Sequence, residues 1–255
     1  MLNGISIQAH IRQPTGRKEG RTMKKNTSGY YNEKVLAKFS NALNAAKESI
    51  MNAEHVTVKF SMGNTKMGSI PSVSTLPFLT CPAVCRGTCG KACYAAKLAN
   101  LRPNVLANYA NNTAIALYRP MEYFQQISDF VKTQRYFRFH VSGDIVNDVY
   151  FQNMVDIARE NPHCEILAFT KRFTIVNNWI AKNGQLPKNL HILFSGWNNL
   201  TPDNPHNLPE TTVFERDEDF NLDWKMCGGN CFECVCRGLG CWQAKSGDII
   251  AFKKH

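Results

Sequence analysis

Nine of the ten cysteines in this 255-residue chain fall in two short segments, and this clustering constrains the chain more than any other feature. Cys81, Cys85, Cys89 and Cys93 recur at every fourth position; Cys227, Cys231, Cys234, Cys236 and Cys241 form the second group. The N-terminal stretch lacks the apolar core of a secretory signal, which is about 7–15 residues long. No apolar run approaches the roughly 18 residues of a membrane span. A reducing, cytoplasmic setting is therefore expected, where disulfides are not the default. Closely spaced thiols there usually hold metal, because thiolates are soft ligands and short spacings let several sulfurs converge. Zinc takes four tetrahedral ligands from such pairs, and a [4Fe–4S] cluster takes thiolates from similar runs. Spacing alone leaves zinc and iron–sulfur equally open. Cys164, isolated before the apolar run Ile166–Phe169, reads as a small buried hydrophobe.

The formal charge is +10, and residues 1–34 carry half of it. Residues 1–29 read as a basic flexible arm, either a solvated tail or a contact for nucleic acid. No broad basic stripe with interleaved aromatics follows, so nucleic-acid binding is the weaker reading.

Periodicity predicts an amphipathic helix over 32–51 (Val35, Phe39, Leu43, Ala46, Ile50) and a strand over 55–60 (Val56, Val58, Phe60). A Gly/Pro/Ser-rich stretch from Ser61 to Leu79 then leads into the first cysteines. Helices are expected from Pro103 and Pro120, since proline suits the first helical position. Beyond them come strand 136–141, helix 147–160, strand 166–169, helix 173–182 and strand 190–194. This alternation means βαβ units and a parallel sheet. The expected fold is α/β, a partial (βα) barrel over 30–208 with the cysteine loop 81–93. Residues 209–255 would be an acidic linker and a Cys-rich C-terminal knuckle binding metal or cluster, with a last strand at 248–252.

Parallel α/β folds collect ligands at the C-terminal ends of their strands. Those ends carry Ser142, Gly143 and Asp144, then Lys171 and Arg172, then Ser195. Asp144, Lys171 and Arg172 are the candidate catalytic set beside a metal loop. Ser142, Gly143, Asp144 and Ser195 are candidate cofactor-binding residues, although Ser, Thr and Asp also cap helices. His140 and His191 lie in strand-like runs and read as core residues.

Several ordered motifs resemble the phage gene product 88 family: Gly63-Asn64-Thr65-Lys66-Met67-Gly68, Thr80-Cys81-Pro82, Cys89 to Lys97, Arg102-Pro103-Asn104-Val105, Phe137 to Asp144, Phe169-Thr170-Lys171-Arg172 and Cys241-Trp242. That family is similar, distantly, to radical S-adenosylmethionine (SAM) proteins. The resemblance implies Cys81, Cys89 and Cys93 as ligands of a [4Fe–4S] cluster with one iron open to SAM, Cys85 being additional. One-electron cleavage of SAM would then give a 5′-deoxyadenosyl radical acting on a small-molecule substrate. Asp144 would meet a ribose or amine, and Lys171 and Arg172 a carboxylate or phosphate. The usual C-x3-C-x2-C spacing of radical SAM proteins occurs at Cys227, Cys231 and Cys234, where an auxiliary centre is the natural reading, and not in the first loop. The alternative function is a non-catalytic zinc or iron–sulfur accessory protein that uses its arm on nucleic acid.

Overall fold

A computed structural model describes residues 30–254, so the basic arm lies outside the described residues. In chain order the elements are α1 (Glu33–Asn52), β1 (Phe60–Ser61), β2 (Ser72–Val73), α2 (Tyr94–Leu101), α3 (Pro103–Tyr118), α4 (Pro120–Val131), β3 (Tyr136–Phe139) and α5 (Asp148–Glu160). Then follow β4 (Glu165–Thr170), α6 (Phe173–Asn183), β5 (Leu190–Ser195), β6 (Glu210–Phe214), β7 (Lys225–Met226), α7 (Cys231–Cys236) and β8 (Ile249–Lys253). Local chemistry sets the boundaries. Asn32 and Asn147 cap α1 and α5, their side chains accepting from Val35 N–H and Tyr150 N–H. Pro103 and Pro120 open α3 and α4.

The strands form one eight-stranded sheet in the order β1-β2-β3-β4-β5-β6-β8-β7, parallel except at β1–β2. From β2 to β6 the spatial order follows the chain order. Right-handed crossovers therefore stack the connecting helices on a single face. Phe137, Phe139, Ile166, Ala168, Ile192 and Phe194 point into that layer, against Tyr123, Ile127, Phe151, Met154 and Val176. Alternation sends Leu167, Leu193 and Ile250 to the other face. There the C-terminal segment covers them with Trp242, Val235 and several cysteines. The sheet remains open, with β1 and β7 at its edges, and does not close into a barrel.

Three expectations need correction. The alternating run at 55–60 is not a strand before Phe60. Val56 and Val58 are buried, but their backbone bonds go to side-chain amides. Gln126 accepts from Val58 N–H (2.9 Å) and donates to Val56 O (3.0 Å), and Asn112 brackets Lys59 at 2.8 Å on both sides. Backbone groups must be paired, but the partner need not be a strand. The first parallel strand is β2, inside the supposed loop. The acidic linker contains β6, and β8 lies between β6 and β7, so residues 209–255 are built into the sheet. Among the described residues no helix is long and apolar enough to cross a membrane.

Candidate metal centres

The first cysteine group rises from the rim at the C-terminal ends of the parallel strands. The chain leaves β2 through Ser74–Thr80 and enters two short 3₁₀ turns, Ala83–Arg86 and Cys89–Ala92. Cys93 then caps α2, its sulfur accepting from Ala96 N–H at 3.4 Å. Cys85 is buried, while Cys81, Cys89 and Cys93 are partly exposed. The Cys85 thiol faces both Cys81 and Cys89, and hydrogen bonding to them holds its proton on, pushing its pKa up. Cys89 takes the complementary role. The hydrogen bond from Cys85 and the nearby Lys171 ammonium draw its pKa down to about 6, against the effect of burial. Burial pushes Cys93 up to about 12.

Asp144 lies beneath this loop. Its Oδ1 accepts from Thr170 Oγ1 at 2.6 Å and Ile145 N–H at 2.8 Å, and its Oδ2 from Lys171 N–H at 2.9 Å. Burial raises its pKa, and these donors oppose the rise. Lys171 donates from Nζ to Ser195 Oγ at 2.6 Å. Cys89, Lys171 and Ser195 are therefore one neighbourhood with Asp144 at its base. Arg172, Ser142 and Gly143 occupy the same rim but hold the chain together. Arg172 donates to Thr80 O (2.9 Å) and Ile145 O (3.1 Å), tying the root of the cysteine loop to the β3 turn. Ser142 Oγ donates to Thr75 O at 2.9 Å. Gly143 has φ +82°, and a Cβ there would lie 2.0 Å from Thr75 Oγ1. Beside the rim, between the β1–β2 edge and α3, a cleft of about 260 Å³ is walled by Ser61, Asn64, Ser72, Tyr109, Asn112 and Val141.

The second group lies on the face of the sheet that the C-terminal segment, with α7, covers. Cys227, Cys231, Cys234 and Cys241 line a cavity of about 30 Å³ together with Arg138, Phe169 and Trp242. Burial raises Cys231 and Cys234 and pushes Cys241 up to about 12. Cys236 is exposed and is not part of the wall. The segment docks on the tight Gly63–Gly68 turn, where Cys231 N–H donates to Lys66 O at 2.8 Å. Gly68 has φ +63°, and a Cβ there would lie 2.4 Å from Phe232 Cβ.

All ten cysteines are free thiols. Among the described residues no three His, Cys, Asp or Glu side chains are gathered as a ready ion site. The two groups share neighbourhoods without converging on a point. Their donor chemistry, sulfur and almost nothing else, suits soft thiophilic centres. Cys164 is fully buried, as expected of a small hydrophobe. His191 pairs with Glu165 at 2.6 Å. His140, buried with φ +58°, bonds Tyr150 OH at 2.9 Å, and burial lowers its pKa to about 3.

Sequence reasoning alone gives Arg138 no role. The available signal was a lone charge in Tyr136-Phe137-Arg138-Phe139, at a position that must face the sheet's covered side.

Fold and sites together define an open, mostly parallel α/β protein with one thiol group on the rim at the strands' C-terminal ends and another on the face covered by the C-terminal segment. The family model described as Gene product 88 matches residues 30–225, most of the chain. The chain belongs to this phage protein family. The matched span includes the rim loop and ends just before Cys227, so the resemblance of Cys241-Trp242 falls beyond it. No curated protein matches the chain, and no solved structure does.

Proposed function

We propose that this chain is a cytoplasmic iron–sulfur protein of phage or mobile-element type, acting as a radical SAM-like enzyme on a small-molecule substrate, with its reactive centre in the loop 81–93 of a barrel-like half-sheet. The observation that carries this reading is the shared neighbourhood of Cys89, Lys171, Ser195 and Asp144 at the C-terminal ends of the parallel strands. Cys81, Cys89 and Cys93 are the ligands, and the loop fits a soft centre because free thiols lie together on and beside its two short turns. Bound there, a reduced [4Fe–4S] cluster with SAM supplies one-electron bond cleavage.

The chain's own residues do the rest. Lys171 holds a cation beside the thiolates and offers an anchor to a substrate or cofactor carboxylate. Asp144, fixed by its three donors, orients Lys171 through its backbone N–H. Ser195 fixes the ammonium from the other side. Arg172 keeps the loop on the rim, and the 260 Å³ cleft is the space for an organic ligand. The protein purified without oxygen is expected to be brown and, once reduced, to cleave SAM to 5′-deoxyadenosine. A colourless protein with stoichiometric zinc contradicts this reading.

One observation favours a second reading. Cys85 sits among Cys81 and Cys89 and can complete a four-thiolate site, which is closed and structural. The chain would then be a non-catalytic zinc or iron–sulfur accessory protein, with its basic arm on nucleic acid. Binding to DNA or RNA should in that case fall steeply with salt and be lost on deleting residues 1–29.

A further inference from the structure

We propose that Cys227, Cys231, Cys234 and Cys241 form a second, fully ligated thiolate metal centre whose counter-ion is the buried guanidinium of Arg138. Arg138 lies on β3, is only 8% exposed, and has no carboxylate within ion-pair distance among the described residues. A buried charge without a counter-charge is strongly unfavourable. Its surroundings are soft. The guanidinium carbon is 4.4 Å from the Phe169 ring centroid, and Nη1 approaches Met67 Sδ at 3.2 Å and Cys231 Sγ at 3.9 Å. Its Nε has no partner. Neither an aromatic face nor a thioether compensates a desolvated cation fully. The cavity it lines takes four cysteines into its wall, with Phe169, Asn230, Trp242, Ile250 and Phe252 and no carboxylate among the rest.

The missing charge balance is supplied when those thiols lose their protons to a metal. Four thiolates around a divalent ion or a cluster core of like charge leave an anionic centre, and Arg138 is placed to offset it. The cavity, at about 30 Å³, is far below the several hundred Å³ of an organic-ligand pocket. No water-derived position is needed, because the four sulfurs exhaust the coordination sphere. Cys236 is excluded by its exposure. This inference is independent of the reading given for the rim loop, and its test separates the two.

The full chain is produced as wild type and with Cys81, Cys89 and Cys93 all changed to Ser, in medium containing iron and zinc. Metal and acid-labile sulfide are then counted. We expect the triple variant to retain metal and Cys241→Ser added to it to remove that metal. Sulfide in the retained fraction assigns a cluster, and its absence assigns zinc. Metal in wild type that disappears entirely in the triple variant overturns the second centre and leaves the rim reading standing. Identical metal content in the two would do the reverse. Within the triple-variant background, Arg138→Met should release metal to a chelator about tenfold faster, and Arg138→Lys should stay within a few-fold of the parent. Release at the parent rate from Arg138→Met overturns the counter-ion role.

A variant-free measurement covers a failure of Arg138→Met to fold. In the wild-type protein, Cys227, Cys231, Cys234 and Cys241 should resist alkylation until a chelator is added, whereas Cys236 reacts throughout. Alkylation of those four at the rate of Cys236 before chelation overturns the proposal.

Discussion

The two cysteine groups contain the same ligand atom in opposite surroundings. The rim group sits on turns at the mouth of the parallel strands, where the hydrogen bond from Cys85 and then Lys171 lower the Cys89 pKa and polar side chains converge. The C-terminal group is held by Trp242 against the sheet face that carries Phe169, with Arg138 as the only cation among the cavity walls. One arrangement suits an exposed, reactive centre and the other a closed one. The difference follows from topology. Sequential right-handed crossovers leave one face of the sheet without a helix layer, and the chain's own C-terminal end fills it.

Replacing Cys81, Cys89 and Cys93 together with Ser should abolish SAM cleavage while leaving the melting temperature within a few degrees, because serine is close in size, can cap α2 as Cys93 does, and only Cys93 of the three borders a core cluster. A loss of folding would show that the rim group is structural. Gly143→Ala comes next in size. Its Cβ would enter the van der Waals space of Thr75 and Thr80 at a positive φ, and a loss of about 3 kcal/mol is expected in urea unfolding. Gly68→Ala should cost about 1–3 kcal/mol and act on the other group. By pushing Phe232 it should speed chelator access to the C-terminal cysteines and leave the rim unchanged. Equal effects on both groups would erase the distinction drawn between them.

The last effect is a pH dependence, which bears on neither cysteine group. His140 stays neutral in the fold down to about pH 3, whereas in the unfolded chain it takes a proton below its ordinary 6.5. Stability contributed by the neutral ring is therefore complete above about pH 6.5 and declines as pH falls toward 3. The slope is at most about 1.4 kcal/mol per pH unit. Asparagine tolerates the positive φ at this position. Urea midpoints of His140→Asn should accordingly fall less between pH 7 and 4 than those of the parent.

The central part of the fold was legible because its signals are local. Helical periodicity at Val35, Phe39 and Ile50, proline at the starts of α3 and α4, and strand–helix alternation from Tyr136 to Ser195 each specify their element without distant partners. What escaped depends on partners far away in the chain. The run at Val56–Lys59 is extended but paired to Gln126 and Asn112, and β6 exists because β8, the strand expected at 248–252, completes its ladder. At the sites, Lys171 and Asp144 stand together beside Cys89 as expected. Arg172 and Ser142 make backbone contacts at the same rim and Gly143 packs against Thr75, partners that no spacing rule foretells. Arg138 was hidden for a similar reason: only the packed sheet reveals that its charge has no carboxylate.

The central claim is that both sulfur groups assemble inorganic centres. Its most direct test is iron, zinc and acid-labile sulfide per chain, with an absorption spectrum, on protein isolated without oxygen. The account predicts stoichiometric iron and sulfide with a broad visible band, halved or more by serine at the three rim cysteines. A metal-free chain in which all ten thiols react at once would contradict it.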